Sequence, residues 1–184
     1  MNIENQNFTA IRQKDETNID LQNNTRLRLI SASNLSDSSF DNSKLNRILI
    51  KNSNLSSSNF RKCNIRHANF KNSNFTSADF TWSNMHNDSF LRSNLSDASL
   101  EFVNLNETSF EGCLLKRSNM RYGKLKGAKF TNSDLRGADF SNADISTTKF
   151  ENCKLKGAKF NINTKLPFRK DVALKLGMNF IGLQ

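Results

Sequence analysis

Proline and glycine are scarce in this chain: 1 Pro and 7 Gly among 184 residues. A fold whose turns depend on those two residues is therefore excluded. Histidine is limited to His67 and His86, and neither belongs to a metal-spaced cluster or a catalytic triad. The three cysteines, Cys63, Cys113 and Cys153, are odd in number and contain no C-x-x-C pair, which argues against a zinc site or a disulfide framework. Glycine-rich phosphate loops are missing too. No cofactor and no enzymatic chemistry are expected. There is no run of about 18 apolar residues to span a membrane, and the opening stretch MNIENQNFTAIRQKDETNID lacks the apolar centre of a signal peptide. A cytoplasmic protein is the expectation, and a secreted effector without a leader would read the same.

Apolar residues are also few, at 36%, so their placement has to be efficient. Every fifth residue from Ile30 to Phe160 is Ile, Leu, Phe or Met, 27 positions without exception. Two residues before each lies a second, mostly small residue: Ser33, Ser38, Ser43, Ser53, Ser58, Cys63, Ala68 and onward to Ala158. A five-residue period fits neither ordinary element. On a helix it turns successive residues about 140° apart, and on a strand it sends them to opposite faces. A chain that turns at every repeat and winds around its own core keeps all the large residues inside. Stacked coils then satisfy one another's backbone groups.

This pattern resembles the pentapeptide-repeat family, with its A-(D/N)-L-x-x consensus. The match is direct at Ala78-Asp79-Phe80, Ser133-Asp134-Leu135, Ala138-Asp139-Phe140 and Ala143-Asp144-Ile145. The resemblance implies an all-β, right-handed quadrilateral β-helix with four repeats per coil, hence about seven coils. Phe at 10 of the 14 positions numbered by tens, and Leu at 9 of the 13 ending in five, imply stacked Phe on one pair of opposite walls and stacked Leu on the other. The cysteines all occupy the small inward slot and read as buried thiols acting as small hydrophobes. Asp88 occupies the same kind of slot and would need partners there. Thr108 and His86 are the candidates. Asp88 reads as a hydrogen-bonded structural acid, with a ligand or catalytic role as the alternative.

A solenoid needs caps. Residues 1–28 lack the register and read as an N-terminal cap or flexible segment, 29–162 as the β-helix, and 163–184 as a C-terminal cap. Pro167 and Gly177 bracket a short helix expected at about 168–176. On it Phe168, Val172 and Leu176 share a face, extended by Met178, Phe180 and Ile181. This apolar tail closes the rod or forms a dimer contact, and the resemblance implies that some relatives pair tail to tail.

Residues 20 apart stack on the outer walls. One column reads Lys62, Trp82, Phe102, Tyr122 and contains the sole Trp and the sole Tyr. Arg61 and Arg121 lie in the adjoining column. Exposed aromatics beside Arg and Lys are characteristic of protein-binding hot spots, and base stacking or a homodimer contact would use the same features. Charge is uneven: residues 111–160 carry 11 Lys/Arg against 5 Asp/Glu. Lys116, Arg136 and Lys156 align vertically with Arg117 beside them, and Lys129 aligns with Lys149. These mark a basic face for an acidic partner.

The resemblance brings protection of DNA gyrase or topoisomerase as one function. That role uses DNA-like negative charge, and a net charge of +10 opposes it. Nucleic-acid binding through the basic half is a second alternative. The favoured reading is a rigid, non-catalytic scaffold that binds a protein partner on one outer wall, with a homodimer through the tail or the aromatic column as a variant.

Overall fold

A computed structural model describes residues 9–182. Eight short parallel strands stack into one sheet along a single wall: β1 (Ala10–Arg12), β2 (Leu29–Ser31), β3 (Leu49–Lys51), β4 (Asn69–Lys71), β5 (Ser89–Leu91), β6 (Ser109–Glu111), β7 (Lys129–Thr131) and β8 (Lys149–Glu151). From β2 onward each residue pairs with the one 20 later, as Ile30 with Ile50 and Phe70 with Phe90. The other three walls are held by single bridges five residues apart, such as Asn34 with Asn54, Ser39 with Asn59 and Lys44 with Asn64. One coil is thus four pentads, and the architecture is a β-solenoid.

The pentad works because each position has one physical task. Large residues fill the interior, and the Phe rings pile up at coil spacing: Phe70 on Phe90 at 4.2 Å and Phe90 on Phe110 at 4.8 Å between centroids. Phe40, Phe60 and Phe80 form a second pile, as the alternation of Phe and Leu requires. The small slot admits a hydroxyl, which donates to a carbonyl 23 residues earlier: Ser58 to Leu35 at 2.9 Å, Thr108 to Met85 at 2.6 Å. Such bonds settle the buried polar atoms of the slot. Corners close with a hydrogen bond from residue i+3 to residue i, as from the Ser43 N–H to the Phe40 carbonyl at 3.1 Å. The third residue of that turn, Asn42, has φ +58°, the left-handed value a type II turn requires.

The coil begins before the pentad register does. Strand β1 pairs with β2 through Ile11 and Ile30, and Asp15 and Asp20 bridge to Asn34 and Ser39. Residues 10–28 therefore form a further coil, one residue shorter than the rest, where a cap or flexible segment was expected. Its buried apolar residues are Ile11, Ile19, Leu21 and Leu27. Their irregular spacing hides the coil from a five-residue pattern. Residues 1–8, part of the expected N-terminal segment, lie outside the described residues.

At the other end β9 (Lys159–Phe160) pairs with β10 (Asn179–Phe180), and α1 (Lys170–Lys175) lies between them in sequence. The helix is shorter than expected because Phe168 precedes it and Arg169 takes the N-cap position. Its packed side also differs. Ala173 is buried, whereas Val172, Leu174 and Leu176 are exposed. Met178 seals the core beside Phe160. The small Ala lets the helix lie close to the last coil, so Val172 and Leu176 face outward, while Phe168, ahead of the helix, packs against Phe150. No helix among the described residues is long and apolar enough to cross a membrane.

Candidate interaction surface

The aromatic column occupies the third position of consecutive corner turns. Lys62, Trp82, Phe102, Tyr122 and Asn142 have φ of +55°, +65°, +56°, +58° and +61°. Asparagine tolerates that region, and bulky side chains do so only at a cost of about 1 kcal/mol each. Ring stacking returns about 0.5–1.5 kcal/mol per pair. The two roughly cancel, so folding alone gives no strong reason for three aromatics where Asn42 and Asn142 serve equally well.

Trp82 and Phe102 stack with centroids 4.1 Å apart and planes at 1°, and Phe102 and Tyr122 at 4.6 Å and 5°. These separations match the coil rise, so the ring planes lie across the rod axis. The rings cover one another's faces and present their edges sideways to solvent. A base approaching from the side meets edges, which removes the lateral stacking platform the spacing suggested. Aromatic edges carry partial positive charge, and the column leaves Trp82 55% and Tyr122 39% exposed.

The flanking arginines differ. Arg61 reaches Asp79 at 3.4 Å. Arg121 lies with its Cζ 5.7 Å from the Tyr122 centroid, and its buried Nε has no hydrogen-bond partner. Beyond Tyr122, towards the C-terminal end, a half-open pocket of about 410 Å³ is lined by Tyr122, Gly123, Lys124, Lys126, Asn142 and Lys165, among others. The sequence pattern did not disclose it. The pentad register breaks at Asn161, and Lys165 joins Asp144 at an offset of 21 residues.

The basic column is largely paired. Asp134 receives Arg136 at 2.7 Å and Lys116 at 3.6 Å, and Asp97 receives two bonds from Arg117, at 2.7 and 2.6 Å. The adjoining arginines hold both carboxyls below the usual range. Lys129 and Lys149, adjacent in register on β7 and β8, and Lys156 form no ion pair among the described residues. The continuous basic face read from the sequence is thus interrupted by acids of neighbouring coils.

Asp88 is buried, and its Oδ1 accepts the Ala68 N–H at 2.8 Å. Neither expected partner reaches it. Thr108 donates to Met85, and His86 Nδ1 faces the Asn106 carbonyl at 2.9 Å. Oδ2 has no partner, and burial pushes the carboxyl up to about 8. Among the described residues no three His, Cys, Asp or Glu side chains converge on a metal-sized site. Burial likewise pushes the Cys63 thiol up to about 12 and the Cys113 thiol to about 11. Both donate to backbone carbonyls. Cys153 is only half-buried, because the last coils lack a full neighbour on that side.

The Pentapeptide repeat region profile matches residues 83–160, and the Pentapeptide repeats (8 copies) profile matches 33–72 and 53–87. Together these matches span most of the four-sided coil, and the chain belongs to the pentapeptide-repeat proteins. No curated protein matches the sequence. Solved structures with this fold include a trypsin-treated QnrB1, a plasmid-mediated fluoroquinolone resistance protein, at 18% identity and TM-score 0.44, covering 94% of this chain and 84% of that one. HetL, a pentapeptide repeat protein involved in heterocyst differentiation regulation from the cyanobacterium Nostoc sp. strain PCC 7120, shares 18% identity at TM-score 0.35, covering 87% of this chain and 85% of its own. A further pentapeptide repeat protein from Nostoc PCC 7120 shares 25% identity at TM-score 0.42, covering 67% and 84%.

Proposed function

We propose that the protein is a rigid, non-catalytic interaction module that binds a protein partner through the wall carrying Trp82, Phe102 and Tyr122, with Arg61, Lys62 and Arg121 at its border. One observation carries this reading. Three bulky aromatics occupy left-handed turn positions on consecutive coils, with Trp82 and Tyr122 exposed and Phe102 half-buried between them. The positive ring edges and bordering cations favour an acidic partner surface. The net charge of +10 weighs against imitation of DNA. The ion pairs at Asp97 and Asp134 weigh against a continuous track for nucleic acid.

Affinity capture from nuclease-treated host lysate tests the reading. The baits are the wild type and the triple variant Trp82→Ala, Phe102→Ala, Tyr122→Ala. A protein retained by the wild type alone is expected, and equal retention by both baits would remove the wall from consideration.

A second surface is favoured by its own observation: Val172, Leu174, Leu176 and Phe180 are all exposed at the C-terminal end. This supports a tail-to-tail homodimer of the kind the family resemblance suggests. Sedimentation velocity of the wild type against Val172→Glu/Leu176→Glu reads it directly. A dimer that becomes a monomer is expected, and a wild type monomeric at high micromolar concentration would discard it.

A further inference from the structure

The stacked column ends at the pocket, which Tyr122 lines. Phe102 covers one face of Tyr122, so the opposite face points towards the coil that carries Asn142. That residue has the same backbone conformation as the three aromatics, with φ +61°, but offers no ring. Its side chain is drawn towards the C-terminal cap, where its Oδ1 accepts from the side-chain amides of Asn161 at 3.2 Å and Asn163 at 3.0 Å. Its Nδ2 has no partner, and neither has Arg121 Nε. Both orphaned groups are donors. The pocket that Asn142 lines measures about 410 Å³, within the range that holds a small ligand or an inserted side chain.

Charge adds a second requirement. Lys124, Lys126 and Lys165 line the pocket together with one acid, Asp144. Lys126 and Lys165 both lean on that acid, at 3.5 and 3.4 Å. Three cations against one carboxylate leave a local excess of positive charge beside an open aromatic face. A planar ring would continue the pile at its own spacing, and an adjoining anion would meet the lysines.

Resting on the protein-partner reading above, we propose that the slot beyond Tyr122 receives an aromatic side chain of the partner flanked by acidic residues, which serves as a fourth rung of the ladder. Because the bound ring takes up an end face, this site is distinct from lateral contact with the ring edges. Stacking selects for a ring over an aliphatic side chain, and the lysines select for flanking carboxylates.

The test uses the full chain, labelled with ¹⁵N, and follows the Gly123 amide during titration with N-acetyl-Asp-Phe-Asp-amide. Parallel titrations use N-acetyl-Asp-Leu-Asp-amide, AMP and inorganic phosphate. The Phe peptide is expected to shift Gly123 saturably, with the Leu peptide weaker by about tenfold, the factor one aromatic pair supplies. Asn142→Phe should fill the slot from within and weaken the Phe peptide at least about tenfold. If circular dichroism shows that variant unfolded, Tyr122→Leu, which removes the ring and retains bulk, is expected to give the same loss.

Equal affinity for the Phe and Leu peptides, or no shift with either, overturns the proposal. Tighter binding of AMP than of the Phe peptide reassigns the slot to nucleotides, and a response to phosphate alone reduces it to an anion site. Both outcomes also overturn it. Lysate capture separates this inference from the reading it rests on. A partner lost by the ladder triple variant but kept by Asn142→Phe sustains the wall and sinks the slot.

Discussion

Asp88 Oδ1 accepts the backbone N–H of Ala68, one coil earlier, at 2.8 Å, while its buried Oδ2 has no hydrogen-bond partner. In the unfolded chain this group ionises near 3.8, and in the coil near about 8. Between those values folding takes up a proton. Stability is therefore fully present below about pH 4, falls as pH rises towards about 8 and levels off above it. The steepest loss is about 1.4 kcal/mol per pH unit, or about 3 °C in melting temperature for a chain of this size. Asp88→Asn removes the titration. Its melting temperature should be flatter than that of the wild type between pH 5 and 8, measured by calorimetry. Parallel pH profiles would show that the carboxyl ionises without penalty.

The interior piles should be intolerant. Phe90 is fully buried between Phe70 and Phe110, and Phe90→Ala leaves a cavity that two stacked rings cannot close. A loss of about 3–5 kcal/mol is expected in urea denaturation. Trp82→Ala, on the outer column, should cost only about 0.5–1.5 kcal/mol, the stacking with Phe102, because Ala keeps its Cβ and so the same backbone cost at positive φ. A Trp82 variant as damaged as the Phe90 variant would show the ladder to be structural.

Asp97 and Asp134 mask the arginines and lysine beside them. Asp97→Asn/Asp134→Asn should release Lys116, Arg117 and Arg136, and the variant should elute from heparin at higher salt than the wild type. Identical elution would mean that those cations are already available to a polyanion.

Gly123 occupies the slot that mostly takes Ser, Ala, Cys or Thr. A Cβ there would lie 2.9 Å from the Met120 carbonyl oxygen and 2.9 Å from Leu125 Cδ1. Gly123→Ala should lower the melting temperature by several degrees, about 1–3 kcal/mol of overpacking. An unchanged melting temperature would mean that this corner relaxes freely.

Most of the coil was legible because one pentad carries all its instructions: a large residue inward, a small one two positions earlier, and a corner between. The first coil was not, since Ile11, Ile19, Leu21 and Leu27 fill the same interior without the period. Backbone pairing with β2 fixes that coil instead. The aromatic column could be aligned from residues 20 apart, but that spacing says nothing of ring planes, which side-chain torsions decide. The ion pair of Lys116 with Asp134 crosses coils between columns, and a column-by-column reading counts only its positive member. Asp97 stands directly in the Arg117 column, 20 residues earlier, but a tally of cations passes over it. The tail's apolar residues were visible, but the outward direction of Val172, Leu174 and Leu176 follows from the burial of Ala173, which no spacing rule contains.

The pairing of β10 with β9 has a consequence for assembly. Each layer of this rod offers the next a parallel edge of amides and carbonyls at strand spacing, a template that another chain could extend. The returning tail occupies that edge with its own backbone, and α1 covers ground beside it. Without it, rods could add to one another end to end. The last residues thus set the length of the object, limiting growth that the repeat itself has no means to stop.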